Sequence, residues 1–241
     1  MAGSINYDVP PPRIPNQPSD VGFFAAHLSS TGQVMWEHHW DHDAASRASG
    51  YVIDGAGRFG ILVWATGMKT LDDLTLGGPG VPWAGDVVWL DGDGRAAEAV
   101  DVTEDPDERF DGVSIDAEGT LYVHGWILKS VIGMPNTIQL VLNAVSSSGA
   151  HLWADRFHLS DGNGDTQAVV DACADVLFVG NGDSTSFLVA RVGRDGAVKS
   201  QMTIPLPGNG WASGVAAAPG GMYVGGAMGG FQGGFLSSLG L

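Results

Sequence analysis

Basic residues are scarce in this chain: 11 lysines and arginines stand against 27 aspartates and glutamates, a formal charge of −16. Phosphate contacts need a basic face, so this balance excludes non-specific nucleic-acid binding and disfavours anionic membrane surfaces. It favours solubility and cationic partners. Cysteine is scarcer still. Cys173 stands alone, which excludes an intrachain disulfide and a cysteine-rich zinc site. It falls inside an expected turn, where a structural role outweighs a reactive one. No run approaches the roughly 18–20 apolar residues of a membrane helix. Met1–Asp8 shows neither the basic region nor the apolar run of a signal peptide. No amphipathic helical period is sustained over about ten residues. The serine-hydrolase elbow, the H-E-x-x-H zinc motif and the P-loop are all missing, and the Gly-rich run Gly225–Gly230 opens no helix.

Glycine, by contrast, is abundant at 37 residues, roughly twice its ordinary frequency. With 44% of residues hydrophobic, that points to many tight turns in a folded chain rather than to disorder. The turns repeat. Gly50–Val63 reads as strand, turn, strand around Gly57, and related stretches recur around Gly119, Ala174 and Gly221. A second turn marker precedes each by 25 residues, at Gly32, Gly94, Gly149 and Gly196. Four equal spacings identify an internal repeat. Alternating apolar runs flank every marker, which is the hairpin signal. The spacing predicts an all-β fold: a β-propeller of four homologous four-stranded repeats, in four to five blades closed by terminal strands. Residues 21–241 form that domain, and residues 1–20, with five prolines, form an extended arm. By column, Phe23–Trp40 is the outer half of a blade, and it is expected to complete the last blade beside Gly214–Ala227. Phe235–Leu239 is then an extra edge strand, or pairs with a neighbouring chain as the contact for a homo-oligomer, or displaces Phe23–Leu28.

Two stretches carry a family resemblance. Phe187-Leu188-Val189-Ala190-Arg191-Val192, with Gly149-Ala150-His151-Leu152-Trp153, matches the first hairpin; Gly112–Gly119 followed by Leu121-Tyr122-Val123 matches the second. Together they resemble the bacterial β-propeller (SBBP-like) repeats of secreted, myxobacterial-type proteins, from about Val21 to the end. Gln167, Ala174, Ala218 and Glu98 depart from the pattern. The resemblance implies a propeller and an extracellular or cell-surface location, and it assigns no ligand.

Candidate sites follow from charge and aromatics. Asp105, Asp107, Glu108 and Asp111 crowd one connecting segment, with Asp161 and Asp165 in the equivalent segment of the next repeat. An acidic, loop-rich rim is therefore expected to receive a basic partner or a cation. Asp161, Asn163 and Asp165 alternate as calcium ligands do, but Ala172 stands where the closing carboxylate of a full calcium loop belongs. Calcium is the one cofactor the sequence admits. His38, His42 and Asp43 make a second candidate metal set. Trp36 and Trp153 share a repeat column and read as packing residues. Trp83 and Trp211 have no repeat partner and read as stacking platforms for a glycan. The leading reading is a non-catalytic recognition or scaffold module that binds a protein or glycan ligand. A lectin using its rim tryptophans is the second reading, and a glycosidase- or lyase-like enzyme the third.

Overall fold

The computed structural model describes residues 2–5, 21–42, 46–77, 84–129, 137–159, 165–181, 185–206, 208–219, 221–228 and 233–240. These residues are all-β, without helix, and every strand pairing is antiparallel. The backbone divides into two compact units, Met1–Pro106 and Asp107–Leu241.

The first unit holds β1 (Ala2–Ile5), β2 (Val21–Leu28) and β3 (Val34–His42) in one three-stranded sheet. A four-stranded sheet follows, made of β4 (Ser46–Ile53), β5 (Phe59–Ala65), β8 (Ala84–Leu90) and β9 (Ala96–Asp101) in that order. Between β5 and β8 lies a small hairpin, β6 (Lys69–Leu71) and β7 (Leu74–Leu76). The second unit holds two four-stranded sheets and one of three. The first is β10 (Glu108–Ile115), β11 (Leu121–Lys129), β12 (Thr137–Val145) and β13 (His151–Leu159). The second is β14 (Thr166–Val170), β15 (Val176–Asn181), β16 (Ser186–Val192) and β17 (Val198–Pro205), and the third is β18 (Gly210–Ala218), β19 (Gly221–Met228) and β20 (Gly233–Gly240).

The repeat spacing is a turn spacing. Gly32, Gly57, Gly94, Gly119, Gly149 and Gly196 all have φ between 82° and 87°, a left-handed conformation open to glycine at little cost. Three residues before Gly32, Gly57, Gly94, Gly119, Gly149 and Ala174 a polar side chain ties the loop, whereas at Gly196 that position is Gly193 and Asp195 Oδ1 accepts the Ala197 N–H instead. Asp54 Oδ1 accepts the N–H groups of Ala56 and Arg58, Asp91 those of Asp93 and Arg95, and Asp171 those of Cys173 and Asp175. Ser29 and Ser146 do similar work with hydroxyls. A type I turn closed by a left-handed residue fixes the register of both strands. Ala174 takes the same conformation, at φ 61°, without glycine's freedom. The last copy departs: Ala218 pairs directly with Gly221, so the hairpin closes over two residues and Gly221 begins β19 instead of ending a turn.

Two expectations change. Ala2–Ile5 is a strand on β2, not part of an extended arm, and residues 6–20 lie outside the described residues. The hairpin β2–β3 is completed by β1, and β19 takes β20 as its neighbour. The terminal strand thus fills the place that was expected for the N-terminal hairpin. Beyond those changes, the hairpin β6–β7 joins the core. Leu71 and Leu76 are buried in the core of the first unit with Phe23, Trp40, Ile61 and Val88, and Asp72 Oδ2 accepts the N–H of Ala96.

Trp36 and Trp153 pack as their shared column predicts. A Cβ built on Gly94 would lie 2.5 Å from the Trp36 ring, and one on Gly196 would lie 2.9 Å from Trp153. Each tryptophan of a last strand therefore lies on the turn glycine of the following sheet, and Trp153 Nε1 also donates to the Arg194 carbonyl, at 2.8 Å. Gly57 shares the turn geometry, but open space surrounds its Cβ position. Gly57→Ala is expected to cost about 1 kcal/mol of stability from backbone strain alone. Gly94→Ala should cost clearly more, because Trp36 must also move. Ala174→Gly should gain about 0.5–1 kcal/mol by relieving the left-handed alanine. Urea denaturation of the three variants checks the order.

Candidate functional site

Two of the four carboxylates of the acidic segment expected at the rim, Glu108 and Asp111, are spent on internal structure. Glu108 opens β10 with its side chain fully buried. Arg156 Nη2 donates to Glu108 Oε1 at 2.9 Å, and Asn143 Nδ2 donates to both carboxylate oxygens at 3.1 and 3.2 Å. Arg156 Nη1 closes the ring on Asn143 Oδ1 at 2.9 Å. Asp111 Oδ2 accepts both the N–H and the hydroxyl of Thr166, each at 2.8 Å. Because the Thr166 hydroxyl donates to Asp111, it accepts from His124 Nδ1 at 2.9 Å. Burial drives His124 down to about 3, so the imidazole is neutral. Asp105 is half-buried and Asp107 is exposed.

A sequence signal for these ties was present and unread. The residue eight before Gly57, Gly119, Ala174 and Gly221 is Ser49, Asp111, Thr166 and Ser213, polar in every copy. Three of these, Ser49, Asp111 and Ser213, sit at bulges in their strands. Asp111 uses its place to reach β14 of the next sheet. Asn181 makes the next link: its amide takes the Ala212 N–H at 2.7 Å and donates to the Ala212 carbonyl at 3.1 Å. A side-chain amide thereby stands in for a strand backbone.

The metal candidates do not assemble among the described residues. No group of three or more ligating side chains occurs there. His38 Nε2 donates to the Asp93 carbonyl at 3.1 Å, and its ring lies between Trp36 and Trp40. The side chain of His42 and all of Asp43 lie outside the described residues, as do Asp161 and Asn163. Asp165 is exposed, and its carbonyl accepts the Asn181 N–H. Trp83 also lies outside the described residues. Trp211 is half-buried in β18, opposite Ala227.

The first unit carries a groove that no sequence argument located. A cavity of about 600 Å³ opens beside the hairpin turns of β4–β5 and β8–β9 and reaches β2 and β3. That volume is within the range of small-ligand sites, about 300–1,000 Å³. Its aromatic walls are Trp36 and Phe59, both half-buried, and Phe59 stacks on the exposed Tyr51 with ring centroids 6.1 Å apart. Its charged walls are Arg58, Glu98 and Asp91. Arg58 donates through Nε to Asp54 at 2.7 Å and through Nη1 to Glu98 at 3.2 Å. Its guanidinium lies 4.7 Å over the Trp89 ring, which is buried beneath it. Glu98 stands in the column that holds tryptophan in two other copies. The loss of an aromatic there frees a carboxylate for the groove.

One buried carboxyl elsewhere in this unit is strongly perturbed. Burial pushes Asp86 up to about 6, and the Asp101 carboxylate opposite adds to it against the pull of the Gly77 N–H. Asp86 pins the end of the β6–β7 insertion through that N–H bond, and it lies outside the groove lining.

Two predictions follow from the buried charges. Glu108→Ala strands Arg156 and Asn143 and should cost about 2–3 kcal/mol, somewhat below the range for a fully buried pair because Arg156 is partly solvated. Chemical denaturation reads this directly. A carboxyl whose folded pKa is raised contributes stability below its unfolded value, near 4, and that stability is lost as pH rises through about 6. His124 acts in the opposite sense: its contribution is present above about 6.5 and is lost as pH falls toward 3. Asp86→Asn should therefore raise stability at pH 7, by up to about 2–3 kcal/mol, and leave a steeper acid limb governed by His124. Melting temperatures between pH 4 and 7 test both slopes.

No protein-family model matches the chain, and no curated protein does. Among solved structures the chain is similar to a Bacteroides caccae protein of unknown function, at 10% identity and a TM-score of 0.40, over 84% of this chain and 78% of that one. It is also similar to an ACO/RPE65 chimera, at 11% identity and a TM-score of 0.46, over 91% of this chain and 52% of that one. A point mutant of Synechocystis apocarotenoid oxygenase is similar at 10% identity and a TM-score of 0.46, over 85% and 49% of the two chains. The chain spans about half the length of these two oxygenase-related structures.

Proposed function

We propose that the chain is a recognition module of β-propeller type and that it takes its ligand in the groove of the first unit. The propeller reading is supported by the repeated antiparallel hairpin pairs and by the links Asp111–Thr166 and Asn181–Ala212 between successive sheets of the second unit. The recognition reading is carried by one observation: in the groove, half-buried Trp36 and Phe59 stand beside Arg58 and Glu98. Apolar walls with a few placed polar groups are what a small-ligand site needs. The groove replaces segment 101–111 as the proposed binding surface, since Glu108 and Asp111 are committed to Arg156, Asn143 and Thr166. The aromatic walls also suit the C–H face of a sugar ring, which keeps the lectin reading alive at a different pair of aromatics from Trp83 and Trp211.

Ala97 is exposed and lines the groove, so Ala97→Trp should fill it without disturbing a core. In a ligand-observed NMR screen of a chemically mixed fragment library, wild-type protein is expected to yield hits that Ala97→Trp loses at an unchanged melting temperature. Hits that survive the plug, or no hits at all, reject the groove as the site.

A further inference from the structure

We infer that the ligand of this groove is a planar organic cation of the guanidinium class; the inference rests on the groove being the binding site. Three observations point there. The first is charge. Around the groove two guanidiniums, Arg58 and Arg95, face three carboxylates, Asp54, Asp91 and Glu98, with the Arg95 charge acting on Asp91. Arg58 is already paired with two of them, so the surplus is negative, in a chain of formal charge −16. The surplus draws in a cation and disfavours an anion.

The second is the aromatic surface. Trp36 and Phe59, both half-buried, line the groove together with Glu98, whose side chain is 52% exposed. A delocalised cation over a ring face gains from the ring quadrupole, and a carboxylate in the plane of a guanidinium gains two parallel hydrogen bonds. The third is that this hairpin pair already solves the same recognition problem internally. Arg58 lies over Trp89 with Asp54 and Glu98 as its hydrogen-bond acceptors. An external guanidinium would use the same chemistry one step along, over Trp36 and Phe59, with Glu98 released from its longer bond to Arg58. Asp54 holds Arg58 in place by the shorter bond, so the exchange leaves no charge unpaired.

Calorimetric titration with N-acetyl-L-argininamide tests this, with N-acetyl-L-citrullinamide as the neutral isostere and maltotriose as the neutral sugar. The arginine compound should bind at least about fivefold more tightly than citrulline, the scale of one cation–π contact plus a charge-assisted hydrogen bond. Its affinity should fall with added salt. Glu98→Gln should weaken it severalfold, and Ala97→Trp should abolish it. A six-residue peptide carrying one arginine distinguishes the source: tighter binding than the free amide marks a peptide ligand, equal binding a small molecule. Equal affinity for arginine and citrulline, or binding of maltotriose alone, overturns the guanidinium inference. If fragments still occupy the groove in that case, the recognition reading stands without it. If neither cation nor fragment binds, both fall.

Discussion

The structure depends on one local constraint, the left-handed residue that closes each type I turn. With Gly57 or Gly119 in that conformation and Asp54 or Asp116 holding the loop N–H groups, the two strands of a hairpin have no freedom of register. A slip of one residue would turn every buried side chain outward. Fixed register brings Val88 and Leu90 onto the same core as Ile61 and Phe23, and Leu142 and Ala144 onto the core of Phe178. Asp116 shows how far the constraint extends. It ties its own turn, receives the hydroxyl of Tyr122, and pairs with Arg194 of the next sheet at 3.4 Å.

Sheet-to-sheet adhesion then comes in two forms. One is apolar, a tryptophan laid on a glycine that has no side chain to resist it. The other is polar and buried, as in Asp111 with Thr166 and Asn181 with Ala212. Buried polar links are stabilising only when every donor and acceptor is used. The Glu108–Asn143–Arg156 ring and the Asp111–Thr166–His124 chain join their members through short, mutually consistent bonds. These links consume the very carboxylates that a count of charge assigns to the surface.

The groove lies where the repeat is least regular. Glu98 interrupts the tryptophan column, and the charge it introduces is shared between Arg58 and the cavity. A departure from the pattern thus places a carboxylate beside aromatic walls that other copies use for packing. Local exceptions to a consistent pattern are where function is expected to reside.

The sequence by itself determined the strand class, the turns and the hairpin pairing. These rest on interactions between residues a few positions apart: glycine at positive φ, an aspartate or serine three residues earlier, and alternation along each strand. It also determined that Trp36 and Trp153 pack alike, since a shared column implies a shared environment. Tertiary structure alone decided which charges are buried. Glu108 and Arg156 are 48 residues apart and Asp111 and Thr166 are 55 apart, and nothing in a linear run of carboxylates reveals a partner on another strand. It decided that Leu71 and Leu76 join a core from within an insertion, and that β1 and β20 complete the terminal sheets, because an edge strand takes whichever strand lies nearest in space. It decided the groove as well, whose walls come from β2, β3 and both hairpin turns of the following sheet. Periodicity places each of those residues on a strand or a turn, and only the packing of one sheet against another sets the distance between them.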